Sequence, residues 1–346
     1  MTTPDGPDAN ARNDTPHSGH NDSGGDVMRA GGRERRRRRG GEAAMVPAAE
    51  FGSYYGRPIL KQPVWKMPDV PAYLFLGGLA GGSALIAALA DATGRPALRR
   101  VGRVTASAAA LASVGALVHD LGRPSRFLNM LRVFKPTSPL SVGSWILAPF
   151  SGLAAGAVAS ELTGRLPTLG RLAGAGAAVL GPAMATYTAA LLADTAVPAW
   201  HEGHRELPFV FGGSALAAAG AIGMIAAPAA EAAPARRLAV LGAGLELGAS
   251  RLMLRRLGPL LAEPYHRGRA GRLHQAATVL TAAGAGLGAI AGRRRWLGVA
   301  AGALLAAGSA TTRFAVFEAG RASARDPKYT VVPQRERLAA RAAETP

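Results

Sequence analysis

YLFLGGLAGGSALIAALA, residues 73–90, runs for eighteen positions without one charged side chain. An amphipathic helix of a soluble bundle needs polar residues every turn along its outer face. This stretch has none, and its length approaches the roughly 20 residues that cross about 30 Å of hydrocarbon. Working outward, the same texture recurs. Apolar stretches lie at about 72–91, 103–118, 142–161, 170–192, 209–227, 237–254, 274–291 and 296–312, the second and last being short, and nearly all the charge falls between them. The mean hydropathy of +0.13 is therefore an average over two unlike parts. The pattern predicts an all-α, polytopic integral membrane protein with about eight transmembrane helices, arranged as two four-helix bundles.

The expected organisation has four parts. Residues 1–52 form a basic arm too poor in apolar side chains to offset the entropy of ordering. Residues 53–71, SYYGRPILKQPVWKMPDVP, form an interfacial segment; residues 72–312 form the membrane domain and 313–346 a C-terminal tail. Glycines recur four apart at 77/81, 78/82, 244/248, 284/288 and 298/302. That spacing puts each pair on one helix face, where small residues let backbones approach closely in lipid. A glycine-rich composition accounts for the same pairs without packing.

Charge bears on topology. An even number of spans puts both termini on one side, with the Arg35–Arg39 run and with Arg313, Arg321, Arg325 and Lys328. Loops on that side hold Arg123, Arg126, Arg132, Lys135, Arg205 and the 251–272 cluster; those opposite hold Arg99, Arg100 and Arg293–Arg295. We expect both termini in the cytoplasm, and read the net charge of +18 as contact with anionic lipid headgroups. Nucleic acid is not an expected partner, since no folded basic module or stacking aromatics accompany the arginine run. With no cysteine, the chain supplies no disulfide, thiolate zinc site or iron–sulfur ligand. No two histidines face each other mid-span as a haem would require. His201, Glu202 and His204 miss the HExxH spacing, because only Gly203 intervenes after the glutamate.

Between the second and third spans lies HDLGRPSRFLNMLRVFKPTSPLS, residues 119–141. Its prolines forbid one continuous helix. Phe127, Leu128, Met130, Leu131, Val133 and Phe134 alternate with Arg126, Arg132 and Lys135, which suits a segment lying in the interface or against a partner.

This stretch, YLFLGGLAGGS at 73–83, YTAALLADTAVPAWHEGHRELPFVF at 187–211 and DPKYTVVPQ at 326–334 together resemble the NrfD / polysulfide-reductase membrane-subunit family. The resemblance covers nearly all of residues 54–334. It implies an eight-helix, haem-free membrane subunit without metal of its own, exchanging electrons with an exchangeable quinone such as menaquinone. The implied partners are a ferredoxin-like subunit with four-iron clusters and a molybdopterin catalytic subunit, in the cytoplasmic membrane.

Quinone chemistry needs an apolar pocket near the interface, hydrogen-bond partners for the ring oxygens and a protonatable path to water. By resemblance, Tyr187 is the first candidate for a quinone hydrogen bond, its alternative being an ordinary interhelical tyrosine. Asp194, two helical turns on and on the same face, is a proton acceptor or a helix-end residue. His119 and Asp120 end the second span and either relay a proton and touch the quinone or mark the interface. Glu246 is an ionisable group deep in the sixth span, a functional candidate whose partner must come from another helix. Tyr54, Tyr55, Trp65, Arg123 and Arg126 are candidates for partner docking, the aromatics alternatively forming an interfacial belt. The rival reading is an ion- or solute-translocating protein without redox function, motivated by Glu246 and the glycine-interrupted spans.

Overall fold

The computed structural model describes residues 59–344 except 124 and 126–128. The basic arm, Tyr54, Tyr55 and Arg126 lie outside the described residues. Among the described residues the regular structure is α-helical: α1 Asp69–Ala92, α2 Pro96–Leu121, α3 Pro139–Thr163, α4 Pro167–Ala193, the single turn α5 Pro198–His201, α6 Leu207–Ala226, α7 Ala233–His266, α8 Gly268–Ile290, α9 Arg295–Arg325 and α10 Lys328–Glu344. Proline occupies the first or second position of α2 to α7. It fits there because that N–H has no intrahelical acceptor to lose. Left-handed Gly122 and Gly164 close α2 and α3.

Among the described residues, seven helices are long and apolar enough to cross a membrane: α1, α2, α3, α4, α6, α8 and α9. The sixth expected span corresponds to α7, which is long enough but less apolar than these seven. Its sequence carries Arg236, Arg237, Glu246, Arg251, Arg255 and Arg256, so its hydropathy is diluted although it packs as the others do. The two short expected spans are full-length helices. α2 starts at Pro96 and α9 continues to Arg325, because their arginines are held by neighbours inside the fold, as described below.

Packing is two rings of four. In the first, α1 packs on α2, α2 on α3, α3 on α4 and α4 on α1; in the second, α6, α7, α8 and α9 close in the same way. The rings meet chiefly where α1 and α4 face α6. The paired glycines of α1 explain this junction. A Cβ at Gly81 would meet the backbone of Gly181 and Ala185 on α4, and one at Gly82 would lie 2.6 Å from the Ala215 carbonyl on α6. One glycine face thus serves its own bundle and the adjacent face admits the other. Gly284 and Gly302 make similar approaches to α9 and α6, whereas Gly244 and Gly248 face open space. For that pair, helix packing is not the reason for glycine.

Consecutive helices alternate in direction, so connections 93–95, 164–166, 227–232 and 291–294 share one face. The opposite face carries the long connections 122–138 and 194–206, the segment before α1, and α10. There Gly258, with φ of +70°, breaks α7 ahead of Pro259, and the remainder to His266 turns aside.

Candidate functional site

On this elaborated face, the ends of α3 and α4 and the 194–206 connection border a cavity of about 540 Å³. Pro139, Val142, Tyr187, Asp194, His201 and His204 contribute to its wall. Tyr187 reaches it because Gly143 of α3 has no side chain; a Cβ there would run into the tyrosine ring. The Tyr187 hydroxyl hydrogen-bonds the Tyr73 hydroxyl of α1, and both residues are buried. Asp194 caps α4 and is exposed. The structure therefore brings Tyr187 and Asp194 to one cavity, with two histidines that had not been assigned to it. His201 Nδ1 lies 3.0 Å from the Ala193 carbonyl, His204 Nδ1 3.0 Å from the His201 carbonyl, and Glu202 turns away to Arg337.

His119 and Asp120 do not line this cavity. They tie the end of α2 to the start of α1 and to the segment before it: His119 Nδ1 lies 2.7 Å from Asp69 Oδ2, and Asp120 Oδ1 accepts from the Lys66 amide at 3.0 Å. His119 is three-quarters exposed. Asp69 stands one turn before Tyr73 on α1, hence on the same face. Sequence reasoning missed Asp69 and Tyr73, although their i,i+4 spacing at the start of the first span was visible.

Trp65 packs inward. Its ring stacks on Trp200 with centroids 5.6 Å apart, and Trp200 lies 5.7 Å from Phe317 of α9. The Trp200 indole N–H donates to the Val316 carbonyl at 2.7 Å. Residues 60–65 and 195–200 border a second cavity, of about 380 Å³. Arg123 is exposed.

The second bundle holds a buried polar centre. Thr312 of α9 donates to Glu246 Oε1 at 2.5 Å, so the partner of Glu246 does come from another helix. Ser214 and Ser309 pair beside it at 2.7 Å. The unexpected member is Arg313, which charge counting had assigned to the tail. It is 1% exposed. Its Nη2 donates to the Phe211 carbonyl at 2.8 Å, and its guanidinium carbon sits 3.7 Å over the Phe211 ring. Gly78 of α1 admits it, since a Cβ would lie 3.0 Å from Nη2. Arginine tolerates such a place because its planar, weakly hydrated cation stacks on an aromatic face. Among the described residues, Glu246 Oε2 and Arg313 Nε and Nη1 have no hydrogen-bond partner.

The charges at this end of the helices are organised by pairing. Arg256 grips Glu206 at 2.6 Å through both Nε and Nη2, and that contact holds the Glu206 carboxyl below its ordinary value. Lys328, at the start of α10, lies 2.8 Å from Glu263, and Tyr329 donates to the same carboxylate at 3.2 Å. The Lys328 contact lowers the Glu263 pKa. Part of the 251–272 cluster is thus a latch for the C-terminal helix.

The family model described as polysulphide reductase, NrfD, matches residues 59–254. No curated protein matches the sequence. The matched range is more than half of the chain and runs from the segment before α1 through most of α7. It therefore takes in Tyr73, Tyr187, Asp194 and Glu246, while Arg313 lies beyond it. An all-helical chain with these apolar spans, matched over that range, is an integral membrane member of the polysulphide reductase NrfD family, whose members are membrane subunits of redox complexes.

Proposed function

We propose that the protein exchanges electrons between an iron–sulfur cluster of a partner subunit and a membrane quinone seated in the cavity beside Tyr187. The observation that carries this reading is a buried phenol, oriented by a second phenol, on the wall of a mainly apolar cavity with a carboxylate and two imidazoles nearby. A volume of about 540 Å³ is of the size that small-molecule sites use. The bound quinone supplies two-electron, two-proton redox chemistry. The chain's own groups position and protonate: Tyr187 offers its hydroxyl to a ring oxygen while Tyr73 fixes its direction. Asp194, at the cavity mouth, exchanges protons with water. His119, paired with Asp69 one turn from Tyr73, marks a second way for protons from the same face. The apolar walls exclude water from the ring.

The partner we infer is a ferredoxin-like four-iron subunit, with a molybdopterin subunit beyond it, docking on the elaborated face. The Trp65–Trp200–Phe317 stack and the cavity beside it give that face a rigid apolar feature. From the positive arm and tail we infer that both termini lie in the cytoplasm and the protein in the cytoplasmic membrane. The test is quinone-dependent turnover of the intact complex carrying Tyr187→Phe. A raised KM for quinone supports the reading, and unchanged kinetics contradict it.

A second reading, translocation of an ion through the chain, is favoured by the Glu246–Arg313 centre. A carboxylate and a guanidinium buried there with unpartnered atoms are costly in a membrane bundle unless they hold water or move charge. In complex-bearing vesicles, a pH change on quinol oxidation that Glu246→Gln abolishes supports it. Turnover with no pH change excludes it.

A further inference from the structure

The face opposite the quinone cavity carries a different site. There the end of α1, the start of α2, the end of α3 and the start of α4 meet in a charge cluster built around Arg103. Arg103 is 6% exposed. Its Nη1 donates to Glu161 Oε2 at 2.9 Å. Its remaining polar edge is little used: among the described residues Nε has no acceptor, and Nη2 lies 4.0 Å from Asp91 Oδ2. Both carboxylates are already engaged, since Arg99 takes Asp91 Oδ1 at 2.9 Å and Glu161 Oε1 and Oε2 at 3.2 and 3.0 Å. A crevice of about 320 Å³ opens beside this edge, lined by Arg103, Asp91, Gly174 and alanines, with Arg171 on its wall. Gly174 keeps the edge clear, because a Cβ would sit 3.3 Å from Nη2 and 3.5 Å from Nε. Arg171 is two-thirds exposed, and its one contact in the cluster is Asp91 at 3.9 Å. Three arginines against two carboxylates leave one positive charge over.

We propose that this crevice seats a phosphate group. The Nε/Nη2 edge of a guanidinium is the fork that binds two oxygens of one phosphate, and a second arginine on the wall supplies the counter-charge. The crevice opens at the ends of four membrane helices, the depth at which long basic side chains meet phospholipid headgroups. Its alanine walls leave room for the glycerol and upper chain of a phospholipid. The chemistry shared by the two possible sources, an anionic phospholipid headgroup and free phosphate, is the tetrahedral oxyanion. Bound there, it would satisfy the open fork of Arg103, a buried cation of this bundle, and fasten α1 to α4 on the face away from the redox chemistry.

Two exposed positions test this without disturbing the buried network: Arg171→Ala removes the wall charge, and Ala175→Glu puts a carboxylate into the crevice. The full chain in detergent is compared by native mass spectrometry with phosphatidylglycerol and with phosphatidylcholine, and by calorimetric titration with inorganic phosphate. We expect phosphatidylglycerol to be retained in preference to phosphatidylcholine, and the preference to fall about tenfold in both variants, the loss of roughly one charge-assisted contact. A phosphate isotherm that weakens in both variants, with no lipid preference, assigns the seat to free phosphate. If the unaltered chain binds neither ligand more tightly than the variants do, the proposal is wrong.

Discussion

Tyr73 and Tyr187 provide the sharpest test of how the quinone site is built. Their hydroxyls bond each other, and the residues are 4% and 8% exposed. Tyr187→Phe leaves the Tyr73 hydroxyl buried without its partner, which costs about 1–3 kcal/mol of stability. Tyr73→Phe leaves Tyr187 in the same position. Removing both hydroxyls leaves nothing unsatisfied, so the double variant is more stable than the sum of the single losses implies. The coupling expected for a hydrogen bond in a membrane bundle is about 0.6–1.7 kcal/mol. Function adds a second signal. If Tyr187 also donates to the quinone, losing one neutral hydrogen bond of about 0.5–1.5 kcal/mol raises KM for quinone roughly 2- to 13-fold. Tyr73→Phe keeps the donor but frees its direction, and lowers kcat more than it raises KM. The assay is quinone-dependent turnover of the intact complex in lipid, alongside reduction of a soluble dye that reports on the partner subunits alone. Strictly additive stability losses, or unchanged KM and kcat in both single variants with dye activity intact, would refute the reasoning.

Other consequences are as direct. Gly82→Leu forces a side chain into the Ala215 backbone between the bundles and destabilises by at least the 1–3 kcal/mol typical of overpacking, whereas Gly244→Leu meets open space and leaves the detergent melting temperature nearly unchanged. Glu246→Gln preserves an acceptor for Thr312, whereas Glu246→Ala leaves the Thr312 hydroxyl only its bond to the Gly308 carbonyl, so the alanine variant is less stable than the glutamine variant by about 0.5–1.5 kcal/mol; thermal unfolding separates the two. The α10 latch is pH-dependent. Glu263 is depressed in the folded state, so its contribution is complete above the ordinary glutamate value of 4.5 and disappears as pH falls through the lower folded value. Because the chain has no cysteine, a nitroxide on Leu338→Cys reports α10 alone, and its motion should increase on acidification below that value but not between pH 7 and 5.

What the sequence made readable, and what it hid, follows from the range of each interaction. The uncharged run at 73–90 identified a membrane helix because length and hydropathy are local properties. The four-residue glycine spacing in the same run placed two close-packing faces, and α4 and α6 occupy them. Tyr187 and Asp194 were legible together because two helical turns bring them to one face. Arg313 was misread. Its position next to a charged C-terminal stretch suggested solvent, while its actual neighbours, Phe211 and Gly78, are far away in sequence. Arg99 was counted as loop charge for the same reason, and it is bound to Glu161 of α3. Trp200 gave no sign of burial, since the ADTAVPAWHEGH segment reads as a polar connection; the residues that enclose it, Trp65, Val316, Phe317 and Gly320, are far away in sequence.

The measurement closest to the central claim is photolabelling of the intact, lipid-embedded complex with an azido-quinone, followed by peptide mapping of this chain. The account predicts label in the peptides around Val142 and Tyr187–Asp194, suppressed by excess unmodified quinone and reduced by Tyr187→Phe. Label displaced by quinone but confined to the second bundle, around Glu246 and Arg313, would contradict it.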